Sequence, residues 1–170
     1  MIESAISRPP AATHVERDQE GRLTALQLDG AGPAGTEAGQ RWLIAVDGSA
    51  HALNAVAEAI RLAQAMTACR LHLINVQPWL SREAAEHELA DRAWDATTAA
   101  RALLEQAGLN WQLHVRMGEA AEQILAQAEA LHCAGIITGS RGLGATRGML
   151  LGSVAYKLMH LSPLPVLLVR

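Results

Sequence analysis

The sequence predicts an α/β fold, an open five-stranded parallel sheet with helices on both faces. Two observations carry that reading. From Arg41 onward, short apolar runs alternate strictly with longer stretches whose apolar residues recur at helical spacing, the pattern of parallel strands joined by helical crossovers. The last crossover opens with a glycine cluster, Gly139-Ser140-Arg141-Gly142, set between the apolar run Ala134-Gly135-Ile136-Ile137-Thr138 and the helical stretch Val154 to Met159. With 170 residues, half of them apolar, the chain can bury a sizeable core in one domain with a modest extension.

Residues 1–40 read as an acidic, largely flexible N-terminal extension. They are rich in Pro, Gly, Ala and charged groups and hold few large apolar residues, so they have little burial to offset ordering entropy. Within them Arg22-Leu23-Thr24-Ala25-Leu26-Gln27-Leu28 is either an extra edge strand (22–28) before the turn signal Asp29-Gly30 or part of a linker that continues through Gly39.

The domain proper spans 41–170. Trp42 to Val46 is a continuous apolar strand, and Ser49-Ala50 starts a helix carrying Ala52, Leu53, Val56, Ala59, Ile60 and Ala63 at helical spacing. Leu71 to Val76 is the second strand. A long helix runs from about Ser81 to Ala107 with Leu89, Ala93, Ala96, Ala100 and Leu103-Leu104 on its apolar side, ended by Gly108. Trp111 to Arg116 is the third strand, Ala120 to Leu131 a helix, 134–138 the fourth strand, and Val166 to Val169 the fifth.

Charge narrows the partners. The formal net charge is -3 and the pI about 6.1. Residues 1–40 hold six acidic and three basic groups, while the remainder holds eleven of each, so neither part presents the basic face of a nucleic-acid or membrane-surface binder. No apolar run reaches the 18 or so residues of a membrane span. Arg8 and Pro9-Pro10 stand where a signal peptide would be apolar, which reads as a cytoplasmic protein. Cys69 and Cys133 have no metal or redox spacing and read as packing residues. His51, His72, His87, His114, His132 and His160 suggest no metal site, and Trp42, Trp79, Trp94 and Trp111 read as core or interface anchors.

The glycine cluster carries the chemistry. Glycines in a strand-to-helix loop permit close backbone approach and positive φ, and free amides at the following helix start favour an anion, so the loop suits a phosphate-bearing ligand. A P-loop is excluded because the only lysine is Lys157, and a dinucleotide fingerprint is excluded because Arg147 stands where the third glycine would follow Gly142-Leu143-Gly144. The spacing is instead Gly-x2-Gly-x9-Gly-Ser, with Gly139, Gly142, Gly152 and Ser153. Such glycines can also simply turn the chain and cap a helix; the spacing is what favours a ligand.

Three linked pieces resemble the universal stress protein family in its single-domain, ATP-binding branch: this glycine loop, the opening Trp42-Leu43-Ile44-Ala45-Val46-Asp47-Gly48-Ser49, and the closing Ser162-Pro163-Leu164-Pro165-Val166-Leu167-Leu168-Val169-Arg170. The resemblance covers about residues 41 to 170 and implies strand order 3-2-1-4-5, a Rossmann-like sheet of the adenine nucleotide alpha-hydrolase type. The strands ending at Asp47 and Gly139 would then flank the switch point, where ligands of open sheets sit.

On that resemblance the chain is an ATP- or Mg-ATP-binding, dimeric stress-response module. Gly139 and Gly142 would fold under ribose and phosphates, with Gly152 and Ser153, and the amides of Val154 and Ala155, on the phosphate oxygens. Asp47 would hold ribose hydroxyls or Mg²⁺ bound through the phosphates, and adenine would be read by the backbone around Asn75-Val76 and flanked by Ala45 and Val46. Arg141 and Arg147 either neutralise phosphate or face solvent. Two positions depart from the usual pattern: Ala134 replaces an acidic residue, and Thr138 replaces a methionine beside the ligand. No catalytic constellation is legible beyond Asp47, which implies slow or no hydrolysis. A nucleotide-free dimer of the same fold is the alternative, and an enzyme sharing the sheet topology would need a catalytic insertion that the chain has no room for. The apolar strand 166–169 would be an open edge, suited to pairing with a second copy.

Overall fold

The computed structural model describes residues 8–30, 39–145, 148 and 150–170. Residues 1–7, most of the expected linker (31–38) and Arg147 lie outside the described residues. One seven-stranded sheet forms the centre, in the order β1-β2-β5-β4-β3-β6-β7. Its strands are β1 (His14–Arg17), β2 (Leu23–Asp29), β3 (Gln40–Ala45), β4 (Cys69–Gln77), β5 (Trp111–Met117), β6 (Gly135–Gly139) and β7 (Val166–Val169). The five strands from β5 to β7 are mutually parallel. Numbered among themselves they run 3-2-1-4-5, the anticipated order.

Among the described residues the sheet has seven strands, the five expected parallel ones and two more ahead of them. β1 and β2 form a hairpin that adds to β5 in antiparallel register, Leu26 opposite Val115 and Leu28 opposite Leu113. β2 takes the place of the extra strand weighed for 22–28, while β1, which pairs on its outer side, was not anticipated. Three leucines of β2 carry its burial: Leu23, Leu26 and Leu28 are 6%, 6% and 0% exposed. Asp18 shapes the hairpin turn by accepting from the backbone N–H of Glu20 (3.0 Å) and Arg22 (2.9 Å). The hairpin is tied to the domain by an Arg17–Glu86 ion pair, an Arg82 bond to the Glu20 carbonyl, and Arg116 donating to Glu16 (2.9 Å).

The helices are α1 (Ala50–Ala65), α2 (Arg82–Gln106), α3 (Ala120–Ala130) and α4 (Ser153–Leu161). Ser49 and Ser81 cap α1 and α2 by accepting from the Ala52 and Ala84 amides, at 3.2 and 3.1 Å, and Gly108 ends α2 with φ +69°. α1 and α2 cover one sheet face, where Ile44, Leu73, Leu113 and Ile137 meet Val56, Leu89 and Leu104. α3 and α4 cover the other, where Leu43, Ile74 and Ile136 meet Ile124 and Leu158. Trp94 and Trp111 belong to the first core, and Arg101 stacks 3.2 Å from the Trp94 ring centre. Trp42 packs against this core too, whereas Trp79 is 59% exposed beneath Arg22. Cys69 and Cys133 are both free, and burial pushes the Cys133 thiol up to about 11.

The second face buries a polar chain. Arg116 Nε donates to Gln127 Oε1 at 2.6 Å, which leaves the Gln127 amide nitrogen facing His114 Nδ1 at 3.2 Å. His114 Nδ1 must then accept, so His114 Nε2–H donates to His72 Nδ1 at 3.1 Å. His72 Nε2–H is left buried without a partner among the described residues. Burial, reinforced by the charges of Arg70 and Arg41, lowers His72 to about 4. Burial, then His72 and Arg116, lowers His114 to about 3. Both rings are neutral packed histidines at neutral pH.

Candidate functional site

The site forms where the chain reverses its direction of progress across the sheet. β3 runs up and the chain leaves on one side through α1, while β6, its other neighbour, is reached only after β4 and β5. The loops after β3 and β6 therefore diverge at their carboxyl ends and leave a crevice between them. That crevice has a volume of about 550 Å³.

Alternation along the strands decides what faces it. Ile74 and Val76 point to the α3 side and line the crevice with Ala45, Ala120 and Ile124, giving one end an apolar wall. Asn75, between them, points to the opposite face and is absent from the lining; it is 2% exposed and donates from Nδ2 to the Val46 carbonyl at 2.8 Å. Val46 and Asp47 line the crevice from the β3 loop, and Thr138, Gly139, Arg141 and Gly142 line it from β6 and its loop. Gly152, Ser153, Val154 and Ala155 close it at the start of α4.

The glycine loop is folded onto the β3 loop. Asp47 Oδ1 accepts from the Ser49 amide and Oδ2 from the Leu143 amide, both at 2.9 Å. Gly48 makes the tight exit from β3, with φ +87°. Gly139, Gly142 and Gly152 are not in left-handed backbone; what they need is space. A Cβ on Gly142 would lie 2.5 Å from Asp47 Oδ2, and one on Gly139 would lie 2.7 to 2.8 Å from the backbone and Cβ of His51 in α1. The Gly152 amide is spent on the Ser140 carbonyl (2.8 Å), and the Ser140 amide on the Val169 carbonyl (2.7 Å), so the loop is anchored at both ends to the β6–β7 edge.

The start of α4 differs from those of the other three helices. Side chains of Ser49, Ser81 and Glu119 cap α1, α2 and α3, whereas the cap of α4 is Gly152, which has no side chain to offer. The first-turn amides of Ser153, Val154 and Ala155 have no acceptor inside the helix and sit at the crevice wall. They present partial positive charge there. Arg141 is half-buried beside them, and Asp47 is the single carboxylate among the described lining residues. Ser140 lies 3.4 Å from His51 Nδ1 behind the loop.

Sequence reasoning missed Ala52, Ile74, Ala120, Ile124, Leu143, Gly144 and Ala145, which also line the crevice. Ala120 and Ile124 stand at i and i+4 on α3, a spacing that reads equally as core. Thr138, where a methionine was the usual residue, is 5% exposed and its hydroxyl reaches only the Gly139 carbonyl, at 3.3 Å.

The model of the universal stress protein family matches residues 40–170. Universal stress protein YxiE of Bacillus subtilis is 30% identical, the match covering 76% of this chain and 98% of that protein. The Thermus aquaticus universal stress protein encoded in the QAH/OAS sulfhydrylase 3′ region is 35% identical over 75% of this chain and 96% of its own. Among solved structures, the Archaeoglobus fulgidus universal stress protein in complex with dAMP superposes with a TM-score of 0.61 at 18% identity, over 78% of this chain and 98% of that one. A universal stress protein in complex with cAMP gives 0.62 at 22% identity, over 77% and 97%. At these identities the superpositions speak for the fold. The β1–β2 hairpin precedes the family match.

Proposed function

Because the chain belongs to the universal stress protein family, we propose that its crevice binds an adenine nucleotide, ATP in the first instance, and that the protein works as a homodimeric stress-response module with slow or no hydrolysis. The observation that carries this is the pairing, in one 550 Å³ crevice, of an apolar wall at one end with the uncapped amides of α4 at the other. A flat heteroaromatic base suits the wall of Ala45, Ile74, Val76 and Ile124, and phosphate oxygens suit the amides of Ser153, Val154 and Ala155. Solved relatives with dAMP and cAMP support an adenine nucleotide as the ligand class.

Each residue then has a role. Gly139 and Gly142 keep the loop low, so that a phosphate chain can pass over backbone. Thr138 offers a hydroxyl near the sugar, and Arg141 a cation at the phosphate end. Asp47 has both oxygens engaged by backbone N–H groups, yet each keeps a lone pair for a ribose hydroxyl or for water on Mg²⁺. A single carboxylate plus nucleotide phosphates is a donor set that fits Mg²⁺, which would neutralise phosphate charge when bound. The same engagement makes Asp47 a poor general base, which supports binding with little turnover.

A second copy would pair along β7. Its outer edge is open in the sheet order, Leu167 is 37% exposed, and Tyr156 and Met159 of the adjacent α4 are 55% and 52% exposed. No helix among the described residues is long and apolar enough to cross a membrane, and a cytoplasmic location goes with the proposal. A nucleotide-free dimer of the same fold is the second reading, favoured by the direct Asp47–Leu143 bond that closes the loop with the protein's own groups. Mass spectrometry of nucleotide released from purified protein separates the readings: intact ATP supports binding, none supports the nucleotide-free module, and a processed product points to an enzyme.

A further inference from the structure

We propose that Asn75 is a positioning residue that sets Asp47 without touching the ligand, an inference that rests on the crevice being a nucleotide site. β3 ends at Ala45, and the next residue, Val46, keeps one ladder bond, its amide donating to the Ile74 carbonyl at 2.9 Å. The Val46 carbonyl is then held by Asn75 Nδ2 at 2.8 Å. The carboxamide thus prolongs the β3–β4 connection by one bond, at the peptide that leads into Asp47. Gln77 fixes which way the carboxamide points, because its Nε2 donates to Asn75 Oδ1 at 2.7 Å and leaves only the nitrogen for Val46. Gln77 is itself anchored, its carbonyl accepting from the Gly118 amide at 3.0 Å.

The consequence lies one residue on. With the Val46–Asp47 peptide fixed and Gly48 turning the chain away, the Asp47 carboxylate bridges Ser49 and Leu143 and draws the glycine loop to its place. The space is tight enough that a Cβ on Gly142 would contact Asp47 Oδ2 at 2.5 Å. A rotation of the Asp47 backbone would break the bond to the Leu143 amide and release the loop it holds. Burial of Asn75 at 2% exposure makes it a rigid support.

Two measurements decide the matter. In Asn75→Leu, hydrogen exchange of the Leu143 amide speeds up at least tenfold relative to wild type, read by NMR on folded protein and independent of any nucleotide. In a double-mutant cycle of ATP affinity, Asn75→Leu weakens binding about tenfold in the wild-type background and has no further effect in Asp47→Ala. Unchanged Leu143 exchange overturns the proposal, as does an affinity loss that simply adds in the Asp47→Ala background. Should Asn75→Leu not fold, Gln77→Leu frees the carboxamide and gives the same two signs at smaller size. If wild type itself binds no ATP, the nucleotide reading fails and the Leu143 exchange alone decides the role of Asn75.

Discussion

Acidification should destabilise this protein through one buried pair. His72 and His114 are held neutral, with values lowered to about 4 and about 3, while in the unfolded chain each titrates near 6.5. The folded values lie below the unfolded ones, so the contribution is fully present above about pH 6.5 and is lost as pH falls, because the unfolded state takes up protons that the fold refuses. At pH 5 each unfolded imidazole lies about 1.5 units below its titration point, a difference of about 2 kcal/mol, or about 4 kcal/mol for the two. Between about pH 5.5 and 4.5 the slope approaches 2.7 kcal/mol per pH unit, two protons' worth. The assay is urea denaturation from pH 8 to 4.5, run beside a His72→Leu/His114→Gln variant. The variant should lose nearly all of this slope, while the effects of carboxylates stay common to both proteins. Equal slopes in the two proteins would refute it.

Four further outcomes follow from the geometry. Gly139→Ala places a Cβ against backbone of α1 that cannot yield cheaply, so denaturation should show a loss of about 1–3 kcal/mol; wild-type stability would contradict the packing. Removing residues 1–30 exposes the faces that bury Leu23, Leu26 and Leu28, each worth about 1.5–3 kcal/mol when fully buried, so thermal melting should fall well below that of the full chain. Leu167→Lys on the open edge should convert a dimer to monomer in analytical ultracentrifugation, and a persistent dimer would move the interface elsewhere. Arg116→Met unfixes the orientation of Gln127 and should let His114 titrate above about 3, visible as an upward shift in its NMR titration midpoint.

The parallel core was legible because its signals are local. Ser49 and Ser81 cap where a serine ahead of an apolar helical pattern should, and Gly108 ends α2 in the left-handed backbone that favours glycine. The glycine spacing located the crevice because its residues lie within one loop and one helix start. What stayed hidden depends on register. His72 and His114 are 42 positions apart and meet only because β4 and β5 pair as they do. Asn75 and Val76 were read as a backbone contact for adenine; what that reading does not show is that neighbouring side chains face opposite ways, so Val76 lines the crevice while the Asn75 carboxamide holds the Val46 carbonyl behind it. Of the hairpin, the strand at 22–28 was legible from its leucines, whereas β1 is four residues long and mostly exposed and so leaves no apolar pattern to read. The glycines were read as giving both close approach and positive φ; at Gly139, Gly142 and Gly152 only close approach applies, and at Gly142 the close neighbour is Asp47.

The most direct test of nucleotide binding is calorimetric titration of ATP with Mg²⁺ into protein stripped of carried-over nucleotide, beside a Gly142→Glu variant. That side chain would start 2.5 Å from Asp47 Oδ2 and bring a second negative charge into the phosphate end. Micromolar binding by wild type, about -8 kcal/mol, that the variant loses is the predicted result. Absence of binding by wild type, or equal binding by both proteins, would contradict the assignment of the crevice as the nucleotide site.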